Sequence, residues 1–352
     1  MAPLDTDTRP GLPAEAQGHA FPTRDDRPPR VRTGPGSGAG HRPDRDHAPT
    51  AGWIPLAGEA LLDRLRITGR PRPMADPERA DRLRQCLEDG IGRVAPRTGL
   101  PLLVTRGNLT RALSCGAHRM PGGVEERPFS LPLAIGALME VLFRQLVTTG
   151  ALGDPMVDGL DGLSVDGRRA GLVHWIGRLS YGDRRALAGE VRRQARGLAD
   201  RWPALDPAWL PRTQEPMRVA LGGGAVELST RVDLAIGRPG LDVASVGIVE
   251  ITSGARRPEH RDELAFSALL ETLRHPAPPF VVATYYTRSG ELDVEPVSEE
   301  LLTAAARRTV AGVQAMLHNG QAGGPAGDPA IGGGARQGGA CAGCTVWGPV
   351  GG

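Results

Sequence analysis

The sequence reads as a helical half followed by strands flanked by helices, an α/β or α+β domain. Three observations predict it. Up to about residue 212 the ordered segments are mainly helical in pattern, with apolar residues recurring at helix spacing. Beyond that point the period shortens to that of strands in "EPMRVAL", "AVELSTRVDLAIG" and "ASVGIVEITSG". Helices and short strands then follow one another as far as residue 318.

Each element has a local cause. Residues 1–50 are rich in Pro, Gly, Arg and Asp and lack apolar periodicity, so they are expected to be a disordered tail. Order is expected to begin near Trp53 in a mainly helical part, 51–212. "DPERADRLRQCLEDGI" predicts a helix capped by Asp76 with Pro77 in its first turn. "LPLLVTRGNLTRALSCGAHR" predicts a short strand, then a helix opening near Asn108. "SLPLAIGALMEVLFRQLVTTG" predicts a buried helix ended by Gly150, with Glu140 inside its apolar run. "GDRRALAGEVRRQARGLADRW" predicts an amphipathic helix whose arginines form a solvated face or line a DNA path. In the core, 213–318, "LGGG" at Leu221–Gly224 predicts a hairpin turn between the first two strands. "PEHRDELAFSALLETLRH" predicts a helix, and "PPFVVATYYTRSGELDVEPV" a strand, a Ser-Gly turn and a second strand. Ser298 caps a last helix, and 319–352 is a Gly-rich tail ending in "CAGCTVWGPVGG".

Composition excludes several chemistries. All 42 basic residues are Arg, and the net charge is +2. No phosphate-loop, Schiff-base or catalytic lysine exists in the chain. No GxSxG elbow or HExxH helix occurs either. The first forty residues carry no apolar signal core, and no run of about 18 apolar residues is present. A cytoplasmic protein that spans no membrane is therefore expected. In a reducing setting Cys86, Cys115, Cys341 and Cys344 suggest a metal more than a disulfide.

Two acids stand inside strands: Asp233 in "TRVDLAIG" and Glu250 in "VGIVEITSG". Adjacent strands lie about 4.8 Å apart, so the two carboxylates are able to face each other. Paired acids in a low dielectric need a positive partner. A hard divalent cation, Mg²⁺ or Mn²⁺, is the simplest one, unless each acid is merely half-exposed at a strand end.

The order "GALME … RVDLAIG … VEITSG … RDELAFSALL … VATYY … CAGC" resembles the PD-(D/E)XK nuclease superfamily, RecB-type branch, including its iron–sulfur members. The resemblance covers roughly residues 97–344 and implies an α/β, restriction-endonuclease-like core: a central mixed sheet flanked by helices. It implies metal ligation by Glu140, which follows Gly136 by four residues, with Asp233 and Glu250. It implies catalytic roles for Asp233, Glu250 and the position of Thr252, where the family carries its lysine. Cys115, Cys341 and Cys344 match three of the four cysteines of a 4Fe–4S site; zinc is the alternative there. Glu263 and Ser267 stand where the family has a DNA-contacting Gln and Tyr, and Arg256, Arg257 or Arg261 are candidates for the missing positive charge.

The implied activity is metal-dependent DNA phosphodiester hydrolysis, in which the ion activates water. Without the lysine a loss of about 10²–10³ in rate is expected. The alternative is a nuclease-like protein that has lost catalysis and binds DNA, or a helicase or repair partner.

Overall fold

The computed structural model describes residues 57–67, 70–92, 101–114 and 129–321. The expected tail 1–50 and almost all of 319–352 lie outside them.

Nine helices are described: α1 (Glu59–Arg66), α2 (Pro77–Ile91), α3 (Arg106–Ser114), α4 (Leu131–Thr149), α5 (Pro155–Val165), α6 (Ala170–Gly177), α7 (Tyr181–Arg201), α8 (Pro258–Arg274) and α9 (Glu299–Gln321). Six strands are described: β1 (Leu102–Thr105), β2 (Arg212–Leu221), β3 (Val226–Ile236), β4 (Gly247–Thr252), β5 (Val281–Tyr286) and β6 (Glu291–Pro296). They form one mixed sheet, so the fold is α/β with a central mixed sheet flanked by helices. The helical half is not separate from the core, because β1 belongs to the same sheet.

β3 is the hub. One of its edges runs antiparallel to β2, from Leu221↔Val226 to Arg212↔Ala235. Its other edge must therefore be shared. β1 lies parallel to Val226–Ser229, and β4 lies antiparallel to Leu234–Ile236. Residues 230–233 have no strand partner on that edge. Beyond β4 the sheet continues with β5 (parallel) and β6 (antiparallel).

Two apolar layers cover the sheet. On one face α2, α3, α8 and α9 pack against Leu228, Val232, Ile248 and Val282. On the other, α1 and α4–α7 pack against Leu234, Val249, Ala283 and Tyr285. Trp202, just past α7, meets Phe143 edge-on at 4.8 Å and Tyr285 at 5.2 Å, tying α4 to β5.

Local signals place most boundaries. The Asp76 carboxylate accepts from the Glu78 N–H at 3.0 Å, and Ser130 caps α4. Gly150 ends α4 at φ 75°, a left-handed conformation that suits glycine. α3 starts two residues before Asn108, because the Thr105 hydroxyl accepts the Asn108 N–H and caps the turn. α1, α5 and α6 were not anticipated; the first and last have only 8 residues each, and α5 contains two glycines, although Asp154 and Pro155 open it as Asp76 and Pro77 open α2.

α4 bears on the expectation that no segment spans a membrane. By length and composition it is apolar enough to cross a membrane. In the fold Leu138, Met139, Leu142 and Phe143 of this helix are buried in the second layer.

α5 approaches α4 through a glycine. A β-carbon at Gly162 would lie 2.3 Å from Val141 Cγ1. Gly162→Val is expected to destabilise the protein by about 1–3 kcal/mol through overpacking, measured by urea unfolding. Val141→Ala in the same chain should recover part of that loss.

Candidate active site

The gap on the β3 edge is where the acids meet. The β3–β4 register pairs Leu234 with Val249, so the next pair in line is Asp233 and Glu250. Leu234 and Val249 face the second layer, whereas Ala235 and Ile248 face the first. Alternation therefore turns Glu250 toward the first layer, whereas at Asp233 the alternation breaks, because Val232 faces the first layer and Leu234 the second. On the next strand Thr284 pairs with Glu250 and Tyr286 with Thr252.

These groups line a cleft of about 420 Å³. From the first face come Arg106 of α3 and Arg257, His260 and Glu263 at the start of α8. From the second come Glu140 of α4 and Arg169. Gln214, Arg231, Asp233, Glu250, Thr252 and Thr284 complete it from the sheet.

Asp233 is held at both oxygens. Oδ2 accepts the Ile251 N–H at 2.9 Å, and Oδ1 accepts from Gln214 Nε2 at 3.1 Å. Gln214 has φ 56°, a left-handed value for a residue with a β-carbon. The β2–β3 ladder skips the Gln214–Asp233 pair, so this kink turns the amide onto the acid. Burial first, then the neighbouring Glu250 carboxylate, raises Asp233 well above its ordinary range. The shift favours the neutral acid, with Glu250 as the neighbour that would share its proton.

Glu250 is 8% exposed and paired to Arg106 at 2.5 Å. The same guanidinium donates to the Arg231 carbonyl at 2.9 Å, inside the gap. Burial alone would depress Arg106; Glu250, with Asp233 and Glu263 behind it, outweighs burial and raises it. Glu140 is paired to Arg169 at 2.6 Å. Burial, then Asp233, raises Glu140, and Arg169 opposes them. His260 accepts at Nε2 from Arg257 Nε, 3.3 Å away, and its Nδ1 meets the Tyr286 hydroxyl at 3.3 Å. Burial and the Arg257 charge lower His260, which favours a neutral imidazole.

The structure thus brings Glu140, Asp233, Glu250, Thr252, Arg257 and Glu263 into one cleft. Thr252 lines the cleft at the position expected for the lysine. Its hydroxyl accepts the Gly254 N–H at 3.2 Å and secures the turn after β4. Arg256 pairs with Asp293 and Arg261 with Glu295, both on the outer strand β6. Ser267 is fully buried within α8, where its hydroxyl donates to the Glu263 carbonyl. Cys115, Cys341 and Cys344 lie outside the described residues, and Cys86 is exposed on α2.

Sequence reasoning missed Arg106, Arg169, Gln214 and His260. One signal was available for the first. A chain with no lysine must neutralise a buried acid with arginine, and Arg106 directly follows a strand.

The carboxylates suit a hard cation in type but not in arrangement. Glu250 and Glu140 each pair with an arginine, and Asp233 accepts two N–H groups. Among the described residues no three His, Cys, Asp or Glu side chains converge on a metal position.

No family model matches the chain, and no curated protein matches it. Among solved structures it is similar to a chain described as "Crystal structure of SSO0001", at 12% identity, over 65% of this chain and 82% of that one. The TM-score is 0.23, too low to carry an argument.

The raised Asp233 has a measurable consequence. The native state binds this proton more tightly than the unfolded chain, whose carboxyl titrates near about 3.9. Its contribution to stability should be greatest below that range and be lost as pH rises through the raised native value. Asp233→Asn should remove that slope, so its urea midpoint gains on the wild type as pH increases. An unchanged slope would place the proton elsewhere.

Proposed function

We propose that this chain is a nuclease-like protein on the PD-(D/E)XK, RecB-type plan that binds DNA phosphate in the cleft and has lost efficient hydrolysis. The observation that carries this reading is the Arg106–Glu250 pair. It ties up the strand acid on which a metal-dependent reaction would depend, in a chain with no lysine to complete the reaction.

Charge supports a phosphate ligand. Arg106, Arg169, Arg231 and Arg257 line the cleft with Glu140, Asp233, Glu250 and Glu263. The raised Asp233 favours its neutral form, which tips the balance toward the arginines. Guanidinium forks match phosphate oxygens bidentately. Arg231 is exposed beside the cleft, where a strand backbone would pass. A binding role of this kind also suits a helicase or repair partner in the cytoplasm. The iron–sulfur or zinc site proposed at Cys115, Cys341 and Cys344 enters neither this reading nor its rival.

The rival is weakened, Mg²⁺- or Mn²⁺-dependent hydrolysis of DNA. The juxtaposition of Asp233 and Glu250 across β3 and β4 favours it.

One set of assays separates the two. Wild-type protein should bind single- or double-stranded DNA in fluorescence anisotropy and leave it intact with Mg²⁺ or Mn²⁺. Arg231→Ala should weaken binding across sequences and reduce the salt slope by about 1. Rapid cleavage lost in Asp233→Ala would establish the rival instead. Absence of DNA binding at low salt would sink both.

A further inference from the structure

We propose that Arg106 is the resident cation of this site: it stands where a divalent ion would neutralise the acid pair, so the cleft takes an oxyanion and refuses a metal. This rests on the reading above for the identity of the anion as DNA phosphate, but not for its geometry.

The placement of Arg106 is structural. It is the first residue of α3, immediately after β1, beside the stretch of β3 that no strand covers. From there the guanidinium reaches the Arg231 carbonyl and the Glu250 carboxylate together. The gap in the sheet is thus bridged by a side chain that is 24% exposed. A cation fixed at a backbone carbonyl and a buried acid is a built part of the sheet, not a surface pair.

Several of the oxygen donors are also engaged. Mg²⁺ or Mn²⁺ would keep several waters and take one or two carboxylates from the protein in octahedral geometry. Here Glu250 Oε1 faces Arg106, and Glu140 Oε2 faces Arg169. Both Asp233 oxygens accept N–H groups, one from Gln214, whose left-handed backbone holds the amide in place. A metal ion would have to displace these donors and enter a cleft lined by four arginines. An oxyanion meets the opposite field, with Arg169, Arg231 and Arg257 around the space.

The test titrates Mn²⁺ into the full chain and follows the free-ion signal by electron paramagnetic resonance. Wild type and Arg106→Lys should bind no Mn²⁺ at this site. Arg106→Gln should gain Mn²⁺ affinity by at least about tenfold, and Asp233→Asn added to it should abolish the gain. Micromolar Mn²⁺ binding by wild type that Asp233→Asn removes would overturn the proposal. So would a folded Arg106→Gln protein that gains nothing. Thermal shift on wild type alone keeps the test open if Arg106→Gln does not fold. Inorganic phosphate should raise the melting temperature and Mn²⁺ should not; the reverse result would overturn the proposal. Stabilisation by phosphate without DNA binding would leave it standing and remove the DNA reading.

Discussion

β3 has two edges and three partners, and the site is built on that mismatch. β2 takes one edge whole, while β1 and β4 divide the other and leave residues 230–233 uncovered. Backbone polar groups in such a gap need partners, and buried acids beside it need charge. Arg106 meets both needs with one guanidinium. Removing one partner from a buried pair of this kind costs about 3–5 kcal/mol, because the other charge stays behind. The Glu250 carboxylate, the edge of β3 and the start of α3 are therefore held by a single side chain.

The fold was legible where local chemistry decides structure. Asp76 and Ser298 cap helices because a side-chain oxygen satisfies an orphan N–H, and both signals read correctly from sequence. The period change near residue 212 marked the strands because half-buried strands alternate. α5 was legible at its start, Asp154 and Pro155, and not in its interior: its glycines lower helix propensity, and it folds because they let it press against Leu138 and Val141 of α4. That is tertiary packing overriding a local preference. The same packing buries one face of α4 although its composition would also suit a bilayer.

The site was legible in its acids and not in its bases. Asp233 and Glu250 announced themselves because a carboxylate in an apolar strand is costly. Their partners sit on irregular backbone: Arg106 at a strand-to-helix junction, Arg169 in a short 3₁₀ turn and Gln214 at a left-handed kink. No period or spacing predicts where such residues point. Arginines elsewhere in the sequence were equally plausible candidates, and Arg256 and Arg261 turned out to serve β6.

The two arginine–carboxylate pairs also differ in kind. Arg169 is 27% exposed, pairs with both Glu140 and Asp166, and its partner Glu140 is 26% exposed. Water screens that pair, and exchange with a ligand phosphate costs it little. Glu250, at 11% side-chain exposure, has far less water to turn to if Arg106 leaves. An anion entering the cleft is therefore expected to recruit Arg169 and leave Arg106 in place. Binding and neutralisation then fall to different arginines. This division of labour is available to a chain that uses arginine for every basic role, because a guanidinium carries enough donors to hold a backbone carbonyl and a carboxylate at once.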